Sequence, residues 1–243
     1  GAKAEQYIGI DSQRLLPKIF SQLKREKTFL SSEMWGIINT WGNFTEKESY
    51  YSFRDLWNTD FKKDNYNRDF ILRTILLFKL CSNSMIRYNS KGEFNQGFRG
   101  ANPDGFFKEV TVKKYVKELN ELRRFLRKNN FNFYVDDSIK QLSEFPTRES
   151  LILLDPPYIL KSKGMYGVGT YDEDSENQLL DYILNTENDF ILFNYIERDG
   201  ETHSKLAEVS RHYRVIELST STQTGQNRTG TKHVIEALIT NIN

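Results

Sequence analysis

The sequence predicts an α/β protein built on a doubly wound sheet with an antiparallel end. Three observations predict it. Apolar runs at 131–135, 151–154 and 190–193 read as strands, each short enough and rich enough in large apolar residues. Stretches of helical period separate them, as in parallel βα units. The last two apolar stretches, Arg214–Leu218 and His233–Thr240, face each other across a polar Gly-Gln-Asn-Arg-Thr-Gly loop, which suits an antiparallel pair.

The elements follow in order. Tyr7-Ile8-Gly9-Ile10-Asp11 reads as a short strand ending in an acid, and a helix follows with Leu15, Leu16, Ile19, Phe20 and Leu23 on one face. Such an acid can bind a ribose diol, because a carboxylate accepts from both hydroxyls; equally, Asp11 or Ser12 can cap the helix. Residues 29–67, with Trp35, Trp41 and Trp57, read as irregular and mostly helical, and Asp69–Leu80 as a core helix.

Residues 82–100 differ. Short polar strands flank an Asn-Ser-Lys-Gly turn, the signal of a hairpin, and the side chains around it are of the types that read base edges. Lys113–Lys128 is an amphipathic helix. Tyr115, Val116, Leu119, Leu122, Phe125 and Leu126 form its apolar side, and Lys113, Lys114, Lys117, Arg123, Arg124, Arg127 and Lys128 a basic side expected to be solvated.

Phe131–Val135 ends at Asp136-Asp137-Ser138, and a short helix starts at Ser138. The strands ending at Asp136 and at Asp155 are expected in one sheet with their carboxyl ends aligned. Lys161–Thr170, with Gly164, Gly167 and Gly169, reads as a mobile lid. Asp172 should cap a helix through Ile183, Phe190–Phe193 is a strand, and Glu201–His212 a helix.

Composition narrows the class. The chain has 243 residues, enough for one large domain or a domain with an insertion, and a formal net charge of +1, so any nucleic-acid surface must be a local basic face. A single cysteine, Cys81, excludes a disulfide framework and a zinc cluster and fits a reducing cytoplasm. No apolar run is long enough to span a bilayer, and no signal peptide is visible.

The chemistry is concentrated at Leu151-Ile152-Leu153-Leu154-Asp155-Pro156-Pro157-Tyr158. The run is expected to be a buried parallel strand that stops at Asp155, because proline cannot donate to the ladder. That places a carboxylate, a free Pro156 carbonyl and a ring at the ligand end of a strand. Three converging acceptor positions suit an amino group with two N–H donors, and Tyr158 offers a face on which a base can stack.

Asp155-Pro156-Pro157-Tyr158 is the signature of amino-group DNA methyltransferases. From Tyr7 to the end the chain resembles Dam-type DNA adenine-N6 methyltransferases. The resemblance implies a Rossmann-like methyltransferase sheet, residues 1–28 and 130–243, and an inserted, mainly helical target-recognition domain, residues 29–129, bearing a β-hairpin at 84–100. It implies S-adenosyl-L-methionine as cofactor, double-stranded DNA as substrate and no metal, with a cognate restriction endonuclease as candidate companion. Asp155, Pro156, Pro157 and Tyr158 match the catalytic motif. Asp11 matches the ribose-binding acid, Asp137 or its neighbour Asp136 the acid beside the cofactor's adenine, and Asp155 also borders the cofactor. Arg87 and Asn89, with Ser84, Lys91, Asn95 and Arg99, fall in the DNA-contacting hairpin. Asn194, Glu197–Gly200 and Thr229-Gly230-Thr231 match late segments.

Two departures stand out. The family's Phe-x-Gly-Gly-Gly cofactor loop is not in this sequence, so the chain reads as an amino-terminally truncated enzyme whose activity should be lost. Gly97 stands where the family hairpin often has proline, so the preferred DNA sequence should differ from GATC. Competing readings are an inactive or split DNA-binding relative and an amino methyltransferase acting on RNA or protein.

Overall fold

The structure, a computed structural model, describes residues 4–142, 144, 149–158, 171–198, 200, 202, 204–222 and 232–242. The expected lid at 161–170 and the Thr229-Gly230-Thr231 segment lie outside the described residues. The chain divides into two compact units, Gly1–Asp137 and Ser138–Asn243, each with its own apolar core.

In the first unit β1 (Tyr7–Asp11) pairs in parallel with β2 (Phe131–Val135), and Asp11 is opposite Val135. Gly9 is required by this pairing, since a Cβ there would meet the Phe133 ring at 2.8 Å. Helix α1 (Leu15–Arg25) buries Leu15, Ile19 and Leu23, and its last turn carries Lys24 and Arg25, which complement the helix dipole. No side chain caps α1; Asp11 instead accepts the Gln13 amide at 2.7 Å.

Helices α2 (Ser31–Thr40), α3 (Lys47–Lys62) and α4 (Arg68–Leu80) form the bulk of this core around the fully buried Trp57. The Trp57 ring stacks on Phe61 and Phe70, and its Nε1 donates to Thr74 Oγ1 at 2.8 Å, so the one polar atom of the ring is satisfied. Asn67 caps α4 by accepting the Phe70 amide. Arg68 ties three segments together, with both forks on Glu33 at 2.7 Å, the Glu26 carboxylate at 3.2 Å and the Phe29 ring beneath its guanidinium.

Helix α5 (Glu109–Lys128) corrects the expected amphipathic pattern. Its buried stripe is Val112, Val116, Leu119, Asn120, Arg123 and Leu126, whereas Leu122 and Phe125 are exposed. Arg123 leaves the basic side for the interior, where it donates to Glu26 O and Thr28 Oγ1, and Asn120 closes both backbone groups of Phe29. Lys113, Lys114 and Lys117 pair along the helix with Glu109, Glu118 and Glu121, in keeping with a solvated face.

The second unit contains α6 (Ser138–Leu142), β3 (Leu151–Leu154), α7 (Glu173–Asn185), β4 (Asp189–Arg198), α8 (Ser204–His212), β5 (Arg214–Thr222) and β6 (Lys232–Thr240). Its sheet runs β3-β4-β6-β5, with β3 parallel to β4 and the other pairs antiparallel. Asp172 caps α7 as expected, and the amide of Ser175 holds its carboxyl below the usual carboxylate range. Ile152, Leu154, Leu180, Ile183, Phe190, Leu192, Val209 and Ile239 make the core.

Two expectations are corrected here. β3 ends its sheet and is buried on one face only: Ile152 and Leu154 are covered, while Leu151 and Leu153 are 57% and 67% exposed. Alternate residues of a strand point to opposite faces, and the face that carries Leu151 and Leu153 is left exposed. Secondly, β2 pairs with β1 and β3 with β4, so among the described residues the two acid-ended strands belong to different hydrogen-bonded sheets. Among the described residues no helix is long and apolar enough to cross a membrane.

Candidate active site and recognition hairpin

The Asp155-Pro156-Pro157-Tyr158 tetrapeptide begins where β3 stops. Leu154 is the last ladder residue, and Asp155 is exposed just beyond it. Tyr158 turns back over the sheet. Its ring lies 4.4 Å from that of Tyr195 on β4 at an interplanar angle of 56°. Its hydroxyl lies 3.1 Å from Asp155 Oδ1 and 3.0 Å from Glu236 Oε1 on β6. Burial, and then the hydrogen bond to Glu236 and the charges of both carboxylates, push the phenol well above the usual tyrosine range. Tyr158 is therefore a neutral, fixed ring.

The sheet beneath is irregular at this point. Tyr195 is opposite Glu236, and the β4/β6 register shifts between Tyr195 and Glu197. Such a bulge re-aims side chains near functional sites. One residue earlier, Asn194 Nδ2 donates to the buried Glu176 at 2.7 Å, and the Tyr171 hydroxyl donates to the same carboxylate. Glu176 is thus a buried acid whose partners include two donors, one of them Asn194.

Sequence reasoning singled out Asn194 but missed Glu176, Tyr195 and Glu236. A lone acid between apolar residues in His-Val-Ile-Glu-Ala-Leu-Ile was the available signal for Glu236.

In the first unit the parallel β1/β2 pair brings Asp11 and the Asp136-Asp137 pair to the same end of the sheet. Asp11 is half-buried, and loss of solvent raises its pKa while the Gln13 amide partly offsets this. Its second oxygen has no partner among the described residues. Asp136 Oδ1 accepts the Asp137 amide at 2.7 Å. A half-buried carboxylate with a spare acceptor at a strand's carboxyl end fits a ribose diol.

The hairpin is smaller than the sequence suggested. Only single bridges form, Tyr88 with Phe94 and Cys81 with Phe98. The turn itself is as expected: the Gly92 amide donates to Asn89 O, and Gly92 has φ +72°, a value glycine supplies at no steric cost. The hairpin is clamped onto α3. Tyr50 donates to Gln96 O, Lys62 pairs with Glu93 at 2.6 Å, and Tyr88 stacks on Phe61.

The expected DNA-contacting residues therefore divide. The Asn89 side chain is spent inside the turn, accepting the Lys91 and Glu93 amides and donating to Glu93 Oε2. Arg99 is exposed and donates to Lys79 O. Ser84, Arg87, Lys91 and Asn95 are exposed, and Arg87 has no ion pair among the described residues. Asn83 and Ser84 hold left-handed backbone, at φ 61° and 51°.

The family model described as D12 class N6 adenine-specific DNA methyltransferase matches residues 2–190. The chain belongs to that family. A relative, the type II methyltransferase M.MjaIII of Methanocaldococcus jannaschii, is 30% identical over 139 residues, which are 55% of this chain and 43% of that protein. The chain thus spans less than half the length of this curated relative.

Proposed function

We propose that the chain transfers a methyl group from S-adenosyl-L-methionine to the N6 nitrogen of an adenine flipped out of duplex DNA. The observation that carries this reading is Asp155-Pro156-Pro157-Tyr158 at the carboxyl end of β3, with the Tyr158 ring already fixed against Tyr195. Residues 1–28 and 130–243 would form the catalytic part, and residues 29–129, with the hairpin at 84–100, the target-recognition part. Asp11, with Asp136 or Asp137, would hold the cofactor's nucleoside.

The nitrogen is a poor nucleophile because its lone pair is delocalised into the ring, and in a duplex it is out of reach. Extrusion costs a few kcal/mol of stacking and pairing. Tyr158 then stacks on the base. Asp155 and the Pro156 carbonyl accept its two amino hydrogens, which draws the nitrogen towards tetrahedral geometry and frees the lone pair. The bound cofactor supplies an electrophilic methyl group. The contribution of this chain is positioning and electrostatics, with no covalent enzyme intermediate.

The type II relative makes a restriction endonuclease of the same specificity the proposed companion, and the cytoplasm the proposed compartment. Asp155→Ala tests the core of the reading. It should abolish methyl transfer to adenine-containing DNA while leaving cofactor binding, measured by calorimetry, largely intact. Retained turnover would refute the role of Asp155, and a chain that binds DNA but never methylates it would be a silent relative.

A further inference from the structure

Methyl transfer leaves a proton to dispose of, because a methylated amino nitrogen with both hydrogens carries positive charge. We propose that Glu236 is the terminal acceptor of that proton, which reaches it from Asp155 through the Tyr158 hydroxyl. This rests on the function proposed above and adds a residue to it.

The argument is a count of hydrogens. Asp155 Oδ1, Tyr158 Oη and Glu236 Oε1 form a chain of three oxygens with neighbouring distances of 3.1 and 3.0 Å. Two hydrogen bonds need two protons, and the phenol brings one. With both acids ionised, one carboxylate accepts the phenol proton and the other faces an oxygen lone pair. The row is complete when it holds one proton more, and the reaction releases one.

The atoms balance. The N6–H bond breaks as Asp155 Oδ1–H forms. Asp155 passes this proton to Tyr158 Oη while the phenol gives its own to Glu236 Oε1. Asp155 and Tyr158 return to their starting states, and Glu236 is left neutral. The phenol never has to become a free phenolate, which agrees with the upward displacement of its ionisation. Glu236 is paired directly with Tyr195 and so shares its face of the sheet, the face on which the Tyr158 ring packs, while its neighbour Ala237 is buried on the other.

Glutamine separates relay from support. In Glu236→Gln the amide carbonyl still accepts the phenol hydrogen bond and holds the ring, but it cannot take the proton. The full chain, Glu236→Gln, Tyr158→Phe and the double variant are compared in single-turnover methylation of adenine-containing duplex DNA. Each single variant should keep cofactor and DNA affinity and slow transfer by about 10²-fold, the range of a general-base step. The double variant should be no slower than Tyr158→Phe alone. Glu236→Asp, which keeps a carboxylate, should recover most of the rate.

Wild-type rate in Glu236→Gln, or multiplicative losses in the double variant, would overturn the relay alone. Absence of N6-methyladenine with the unaltered protein, once calorimetry has shown that it binds S-adenosyl-L-methionine, would overturn the function and the relay together. A further readout needs no turnover. The ultraviolet titration difference between the chain and Tyr158→Phe isolates this phenol, and Glu236→Gln should move its ionisation down towards ordinary tyrosine. An unmoved phenol would show that the bridge does not exist.

Discussion

Asn58 and Phe94 hold each other reciprocally: the Asn58 side chain donates to the Phe94 carbonyl at 3.0 Å and accepts the Phe94 amide at 2.8 Å, both in buried surroundings. One amide on α3 thereby satisfies both backbone groups of the residue that plugs the 84–100 hairpin into the core. Asn58→Ala would orphan both groups and should destabilise the chain by about 1–3 kcal/mol. Denaturant unfolding checks this. The loosened hairpin should also lower DNA affinity more than cofactor affinity.

Arg87 is exposed on the hairpin and has no ion pair among the described residues. Arg87→Ala should weaken DNA binding and remove about 1–3 kcal/mol of discrimination between cognate and altered sites. Competition binding on a panel of duplexes measures it, and an equal loss on every sequence would identify a phosphate contact instead. Asn89→Ala should behave differently, lowering stability, because its side chain is committed to the turn.

Asp11 gives a prediction in pH. Its folded-state pKa lies above the ordinary carboxylate value because burial disfavours the charged form. The unfolded state therefore loses its proton first as pH rises, and the folded state loses stability from the ordinary carboxylate range upward until Asp11 itself has ionised. Asp11→Asn keeps an acceptor for the Gln13 amide and removes the charge. It should raise the melting temperature at pH 7, leave it little changed at pH 3, and weaken cofactor binding. Equal shifts at both pH values would contradict the assignment.

Gly92 isolates a backbone effect. A Cβ there meets nothing within 4 Å, yet φ is +72°. Gly92→Ala should cost about 1 kcal/mol through conformation alone, read as a shift of the denaturation midpoint with an unchanged slope.

Much of this was legible because it is local. The strands at 7–11 and 131–135, the α4 period and the Asp172 cap each depend on neighbours within a few residues, and each is where the sequence put it. Long-range features were not legible. Phe125 has the right spacing for the core, but Arg123 takes the buried place, where Glu26 O and Thr28 Oγ1, almost a hundred residues away, accept from its two terminal nitrogens. Glu236 meets Tyr158 across 78 residues, which no periodicity encodes. Leu151 and Leu153 misled because composition does not report whether both faces of a strand are covered.

The two adjacent prolines after Asp155 carry a consequence for the timing of order. Their pyrrolidine rings restrict the chain before it folds as well as after, so in the function proposed above little freedom would be left for a nucleobase to remove on arrival. Elsewhere a loop that must grip a guest gives up entropy at each encounter. Here most of that loss is written into covalent rings at synthesis, and each new guest meets a turn already stiff.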